Sequence, residues 1–317
     1  MTNVKEKFVY SSSQEIPDSF ILLNDWSCIF INGPDSEKYL QTQLTVDIFS
    51  FSSEKYYFSA YCNNKGKVWS TCRVFRYKNG FLCIFRKSVT KRIILELKKY
   101  SIFSDVNIVE EINLILVGLI GKNVKKILKN YINTFSKEKM IEHSNFMSVL
   151  KFKNPIERFL LILNKSFFKV FRKKNIKKLS ISSSIQWNSL EVESGYPIID
   201  YDMMLKFFPQ DVNLDLLNGI SVNKGCYLGQ EIITKIHYFK NNSKRLYNLK
   251  GISLENKIKL NSILKIKFNK NKLNSGLVLF KFRTYDGYFW MQVVLTKKIT
   301  LEKEIYIFDL KKNFLVI

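Results

Sequence analysis

Histidine is nearly absent from this chain: His143 and His237 are the two in 317 residues. A histidine-based catalytic triad or a multi-histidine metal site is therefore poorly supplied. Cysteine is scarce as well. The five are Cys28, Cys62, Cys72, Cys83 and Cys226, an odd number with no C-x-x-C pair. That pattern suggests no disulfide framework, no zinc site and no stably bound iron–sulfur cluster, and no metal ligand is nominated. Cys28, Cys72 and Cys83 lie in apolar or alternating segments and read as small core residues. No apolar run reaches the length of a membrane span. Ile112 to Ile120 comes nearest, but it is strand-length and interrupted by Asn113 and Gly118. Met1 to Phe8 carries lysines without the apolar stretch of a signal peptide behind them. These absences point to a cytoplasmic protein with no membrane partner.

Arginine is also under-used: 8 of the 51 basic residues are Arg, against 27 acidic residues and a formal net charge of +24. Such a charge ordinarily implies a polyanion partner such as RNA. The same lysine excess, with abundant Ile, Asn, Phe and Tyr, is what an AT-rich genome writes into tolerant surface positions. Arg is the preferred planar reader of phosphates and bases. Composition leaves both explanations open, and supports at most weak, salt-sensitive tRNA contact.

The hydrophobic share of 46% is ample for burial, and 317 residues suggest two or three packed units. The periodicities are mixed, giving an α+β reading. Gly33-Pro34 marks a helix start with Pro at the first position, and Asn79-Gly80 is a hairpin signal. Ser88 is placed to cap a helix through Tyr100. Ser166 to Lys178 reads as a lysine-rich helix with Phe167, Val170, Phe171 and Lys174 near one side, its charge run most simply a solvated face. Ser183 to Ser194 reads as a helix stopped by Gly195. After about residue 240 strands alternate with turns, including Asn274-Ser275-Gly276 and Asp286-Gly287, the pattern of a small β-barrel. The expected division is 1–240, two packed α/β subdomains, and 241–317, the barrel.

The most informative stretch is Lys224-Gly225-Cys226-Tyr227-Leu228-Gly229-Gln230-Glu231. Its two glycines permit backbone angles that other residues resist. Gln230 and Glu231 fall in the first turn of a following helix, where a carboxylate is favoured. Cys226 is the one cysteine outside a strand pattern. Lys224 and the helix start are placed to lower its pKa and keep it reactive; a small residue packed in a loop is the plainer reading. Tyr227, Gln230 and Glu231 read as residues that hold the loop by hydrogen bonds.

This octamer resembles the signature of the folate-binding YgfZ family, relatives of the aminomethyltransferase (T-protein) of the glycine cleavage system. Asp25-Trp26, Gly33 to Gln41, Lys65 to Ser70, Glu96 to Tyr100, Glu157 to Leu160, Gln186-Trp187 and Glu193 to Pro197 look like family segments in family order. The resemblance covers residues 20 to 245 well and the remainder weakly. It implies a T-protein-like folate-binding fold with a C-terminal β-barrel, and tetrahydrofolate or a derivative as ligand. It implies that Trp26 and Trp187 contact the folate, since flat indoles stack on a pterin or aminobenzoyl ring. Glu193 is the secondary candidate, because a carboxylate can accept two N–H bonds from the pterin edge. Trp69 and Trp290 serve as core controls.

By the same resemblance the protein is expected to serve tRNA modification by supporting iron–sulfur enzymes of the methylthiotransferase type, with a link to control of replication initiation. No catalytic constellation is visible, and no independent catalytic activity is assigned. One alternative is a folate-dependent aminomethyl transferase. Against it, the stretch Lys65 to Thr71 lacks the Asp of those enzymes. The other alternative is a basic RNA-binding module without folate. Lys235, and Phe239-Lys240-Asn241 in place of Phe-Arg-Gly, depart from the family by losing planar Arg geometry.

Overall fold

The computed structural model describes residues 8–132, 139–239, 242–252, 258–268, 272–296, 304–307, 310 and 312–317; Lys240 and Asn241 lie outside them. Among the described residues the helices are α1 (Ser36–Gln43), α2 (Lys87–Tyr100), α3 (Val124–Leu128), α4 (Lys165–Asn175), α5 (Ser184–Glu193) and α6 (Gln230–Phe239). The strands form three sheets. The first is antiparallel throughout, in the order Tyr57–Cys62, Val68–Tyr77, Gly80–Arg86, Trp26–Asn32, Asn107–Glu110. Helices α1 and α2 cover one of its faces, where Tyr39, Leu40, Val89, Ile93 and Leu97 meet Ile29, Ile31 and Phe81.

The second sheet runs Ser180–Ser182, Ser19–Leu22, Leu114–Ile120, Arg158–Asn164, Met147–Phe152, Ile141–His143. Alternation divides its central strands cleanly, as a sheet buried on both faces requires. Val117, Leu119, Leu161 and Leu163 point toward α3 and α4. Leu116, Ile120, Leu160 and Ile162 point the other way, onto α5 and onto Phe75, Leu82 and Ile84 of the first sheet. The first two sheets therefore pack face to face over one core, with α5 inserted at its edge.

The third sheet closes on itself. Six strands, Lys272–Thr284, Ile263–Phe268, Glu304–Ile307, Lys312–Val316, Lys244–Gly251 and Phe289–Thr296, return to the first and make a barrel. Phe8–Val9 adds a short parallel strand beside Arg283 and Thr284. The barrel packs on the rest through Leu246, Leu279 and Val294, which meet Phe58, Val68, Tyr227 and Ile233.

Several local expectations shift. Pro34 precedes α1 instead of opening it: Asp35 is the residue before the helix, and its carboxylate accepts the Asp105 N–H at 2.8 Å. Ser88 lies inside α2, which starts at Lys87, and its hydroxyl donates to Asp200 at 2.6 Å. The hairpin expected at Asn79-Gly80 turns on Lys78-Asn79, with Lys78 at φ 51°, and Gly80 already pairs with Tyr77. The lysine-rich helix ends at Asn175 and tightens into a 3-10 turn over Ile176–Lys178, and Val170 on it is exposed. Asn274 to Gly276 lie within a strand, because Gly276 packs directly beneath Leu295 and Val293.

Candidate functional site

The signature loop is fastened to the end of α1 and the segment that follows it. The Leu228 N–H donates to Thr42 O at 3.0 Å. Lys224 Nζ donates to Leu44 O at 2.7 Å and Val46 O at 2.6 Å. Gln230 closes the loop on itself, accepting from the Tyr227 N–H and donating to Lys224 O, each at 3.3 Å. Gly229 adopts φ +80°, and a Cβ there would sit 2.5 Å from Asn63 O and 2.7 Å from the Gly66 Cα. The Asn63–Gly66 turn and the start of α6 thus touch backbone to backbone, which only glycine allows. The Tyr227 ring is buried against Ile233 and Val68.

What the loop displays is Cys226. It is exposed, whereas Cys28, Cys62, Cys72 and Cys83 are buried. It borders an open groove of about 580 Å³ with Asn64, Gln230, Glu231 and Lys235. Glu231 pairs with Lys235 at 2.7 Å. The expected role of Lys224 changes. Its ammonium is held by backbone carbonyls, and burial pulls its pKa down to about 7. Its donors are turned onto those two carbonyls, and no described hydrogen bond joins it to Cys226.

Helix α5 gathers the other candidates. Trp187 is 1% exposed. Its ring lies over Gly118, where a Cβ would come within 2.5 Å, and stands edge-on to Phe152 at 5.4 Å. It offers no free face to a ligand in this structure. Trp26 is half-buried; its indole N–H donates to Asn188 Oδ1 at 3.0 Å, and the Arg86 guanidinium sits 5.0 Å from its ring. Arg86 in turn pairs with Asp25 at 2.6 Å and Asp200 at 3.1 Å. Glu193, expected to face a pterin, is occupied: it accepts from the Ser12 hydroxyl and from the Ser12 N–H at 3.0 Å. Burial pushes its pKa up, and the Ser12 bonds oppose the shift. Of the control tryptophans, Trp69 and Trp290 are both buried.

Sequence reasoning missed the densest electrostatic feature. Glu191 is fully buried between Arg73 and Arg158, paired with both. Burial alone would raise its pKa, but the two guanidiniums outweigh it and hold the carboxyl below its usual range. The guanidiniums lie against rings, Arg73 4.6 Å from Tyr196 and Arg158 5.2 Å from Trp187. The available signal was helical spacing, since Glu191 follows Trp187 by four residues and so shares its inward face.

Two cavities meet at the junction of the first two sheets. One, of about 160 Å³, is lined by Trp26, Ser27, Lys87, Glu110, Glu111 and Leu114 among others. Its neighbour, of about 580 Å³, is lined by Tyr77, Lys78, Glu111, Leu114, Asn145 and Phe146 among others. Small-molecule sites typically occupy about 300–1,000 Å³. The larger cavity falls in that range and the one bordered by Trp26 does not, and neither is lined by Trp187 or Glu193.

The architecture places the chain in a structural class. It superposes on the glycine cleavage system aminomethyltransferase T from Bartonella henselae with a TM-score of 0.75 at 14% identity, covering 95% of this chain and 85% of that one. The fold is thus that of the T-proteins. Sequence relatives narrow the class. The tRNA-modifying protein YgfZ of Buchnera aphidicola subsp. Schizaphis graminum is 38% identical over 96% of this chain and 95% of its own length. That of Blochmanniella pennsylvanica is 37% identical over 93% and 92%. That of Escherichia coli O127:H6 is 35% identical over 90% and 87%. The chain belongs to the YgfZ family. A scan against protein-family models found no match. Among the described residues no helix is long and apolar enough to cross a membrane.

Proposed function

We propose that this protein binds tetrahydrofolate or a derivative in the cytoplasm and serves the modification of tRNA, with Cys226 as its functional thiol. The observation that carries the reading is the end-to-end similarity to proteins named for tRNA modification. The geometry of the signature loop is consistent with it: the lysine, glycines, tyrosine and glutamine are spent on anchoring, and the thiol is left on an open groove. Trp26 is the ring that borders a cavity, and would stack on the folate. When bound, tetrahydrofolate supplies a one-carbon carrier; the protein's own residues would orient it and exclude water from its ring. No carboxylate stands at Val68 to Thr71, so aminomethyl transfer is not the activity proposed.

Support of iron–sulfur enzymes such as methylthiotransferases, and a link to replication initiation, belong to the same proposal through the family resemblance. A weak tRNA contact would fall on the end of α4 and its 3-10 turn, where Lys173, Lys174, Lys177 and Lys178 are exposed. The test is complementation in cells lacking the endogenous protein, read as modified nucleosides in total tRNA. Restoration by the parent and loss with Cys226→Ala is expected. Unrestored nucleosides with the well-expressed parent would reject the reading.

A further inference from the structure

Strand Ser180–Ser182 is an edge of the second sheet, paired on one side with Ser19–Leu22. Beside it opens a cavity of about 410 Å³, lined by Phe8, Tyr10, Ile181, Ser182, Ser183 and Tyr285 among others. It shares no lining residue with the two cavities at the junction of the first two sheets. Phe8, Ile181 and Tyr285 are 44%, 71% and 59% exposed. A single exposed apolar residue needs no explanation, but a cluster of them around a cavity marks a contact site. The rings are also held in place. The Tyr285 N–H donates to Val9 O at 2.9 Å, and the Asp286 carboxylate beside it accepts from the Thr284 and Ser11 hydroxyls. Tyr10 is fixed through both of its backbone groups by Gln186. The Tyr285 ring centroid lies 4.6 Å from that of Tyr10 and 5.9 Å from that of Phe8, at tilts of 44° and 31°.

Among the described residues the lining carries no charged side chain, and the Ser183 hydroxyl makes no capping bond to α5. The charge lies just outside. Lys177 and Lys178 are exposed and lead directly into the edge strand. Three residues of extended chain, about 10 Å, separate Lys178 from Ile181 at the cavity. Exposed Lys173 and Lys174 stand one turn earlier, at the end of α4.

We propose that this cavity receives an unstacked base from a single-stranded stretch of tRNA, with its ring against Tyr285 and Phe8 and its flanking phosphates on Lys177 and Lys178. This rests on the tRNA reading above and makes the lysine contact one half of a two-part site. An aromatic platform takes any base by its π-face, so it adds affinity without demanding a sequence. The neutral serine hydroxyls suit the edge of a base, and the lysines outside suit the backbone that carries it. A duplex keeps its bases stacked inside and would engage only the lysines. The volume lies within the range of sites that hold one flat ring system.

The experiment titrates the full-length protein against two fluorescently labelled probes, a single-stranded RNA 12-mer and the same 12-mer in a duplex, and reads anisotropy at several salt concentrations. Tyr285→Ala should weaken single-strand binding about fivefold or more, leave duplex binding at the parent value and keep the salt slope. Tyr285→Phe should restore the affinity. Ile181→Glu, which sets a negative charge at the cavity, should weaken the single strand more than the duplex. The double variant Lys177→Gln, Lys178→Gln should weaken both probes and flatten the salt slope. Tyr285 and Ile181 are exposed, so thermal melts of these variants should match the parent. Equal weakening of both probes by Tyr285→Ala would overturn the base site, and so would no weakening of either. In the second case, loss of complementation by Tyr285→Ala would assign the cavity to a protein partner. If the parent binds neither probe at low salt, the tRNA contact falls together with this site, a failure distinct from a parent that binds RNA through its lysines alone.

Discussion

Helix α5 carries residues that the sequence marks as functional and α6 follows a stretch so marked, and the two end in opposite surroundings. In α5 the run Gln186 to Val192 is buried without a break, whereas in α6 only Ile233 is buried. The polar groups of α5 are internal fasteners. Gln186 takes both backbone groups of Tyr10, at 2.7 and 2.8 Å, Asn188 takes Trp26 and Asp25, and Glu191 takes two arginines. On α6 the charged and imidazole groups, Glu231, Lys235 and His237, face outward. A motif on a helix enclosed all round is mostly architecture. A motif on a helix held by one residue is mostly display.

The comparison is broken most sharply at the centre of α5. Glu191→Ala would leave two desolvated guanidiniums without their counter-ion, at a cost of roughly 3–5 kcal/mol. Trp187→Ala should cost a similar amount, about 3–5 kcal/mol, because its ring fills the space over Gly118. Both are read as shifts in the urea midpoint at unchanged slope. If Trp187→Ala keeps its midpoint while losing folate binding, Trp187 is a ligand contact and α5 opens in solution.

Lys224 sharpens the comparison from the other side, since its half-buried ammonium is turned onto backbone carbonyls within a displayed motif. Its folded pKa, about 7, lies below the unfolded value near 10.4. Between these values the unfolded chain holds a proton that the folded one lacks, so stability from this group rises with pH from about 7 to 10. One pKa unit corresponds to about 1.4 kcal/mol, so the rise is on the order of a few kcal/mol. Lys224→Met should flatten that slope in denaturation curves taken across the window. A parallel slope in the variant would mean that the ammonium stays charged and solvated.

Much of this was legible in the chain, and the failures have physical causes. The barrel followed from strands alternating with turns, although of the two turns read there Asn274 to Gly276 lies within a strand, and Cys226 stood out because the other cysteines lie in strand patterns. Glu191 did not, although it follows Trp187 by one helical turn, because polar and apolar residues are buried together along α5 and no apolar stripe marks an inward face. The occupation of Glu193 by Ser12 was equally hidden, since the two lie far apart in sequence and meet only because Phe8–Val9 joins the barrel. Gly229 and Gly225 look alike in the motif, yet only Gly229 has a positive φ and a crowded Cβ position. Gly229→Ala should therefore cost about 1–3 kcal/mol. Gly225→Ala should stay within about 0.5 kcal/mol of the parent. Equal thermal midpoints for the two would remove the backbone contact between the loop and the Asn63–Gly66 turn as a structural requirement.

The smallest effect on stability is expected at Cys226, where the largest effect on function is proposed. The thiol is exposed and no described neighbour donates to or accepts from it, so Cys226→Ser should leave the melting midpoint within about 0.5 kcal/mol of the parent. In native protein an alkylating agent should modify Cys226 well before the other four. Burial raises the pKa of Cys28, Cys62 and Cys72, and all four companions are shielded from reagent. Exposure alone predicts that order, so the rate profile against pH carries the mechanistic content. If Lys224 tuned the thiol by its charge, Lys224→Met would slow alkylation at pH 7. Because that ammonium is turned onto the carbonyls of Leu44 and Val46, the rate should instead be unchanged as long as the loop stays folded. A slowed rate in a variant with an intact melt would restore Lys224 as the activating group, and would make the displayed half of the motif depend on its anchored half.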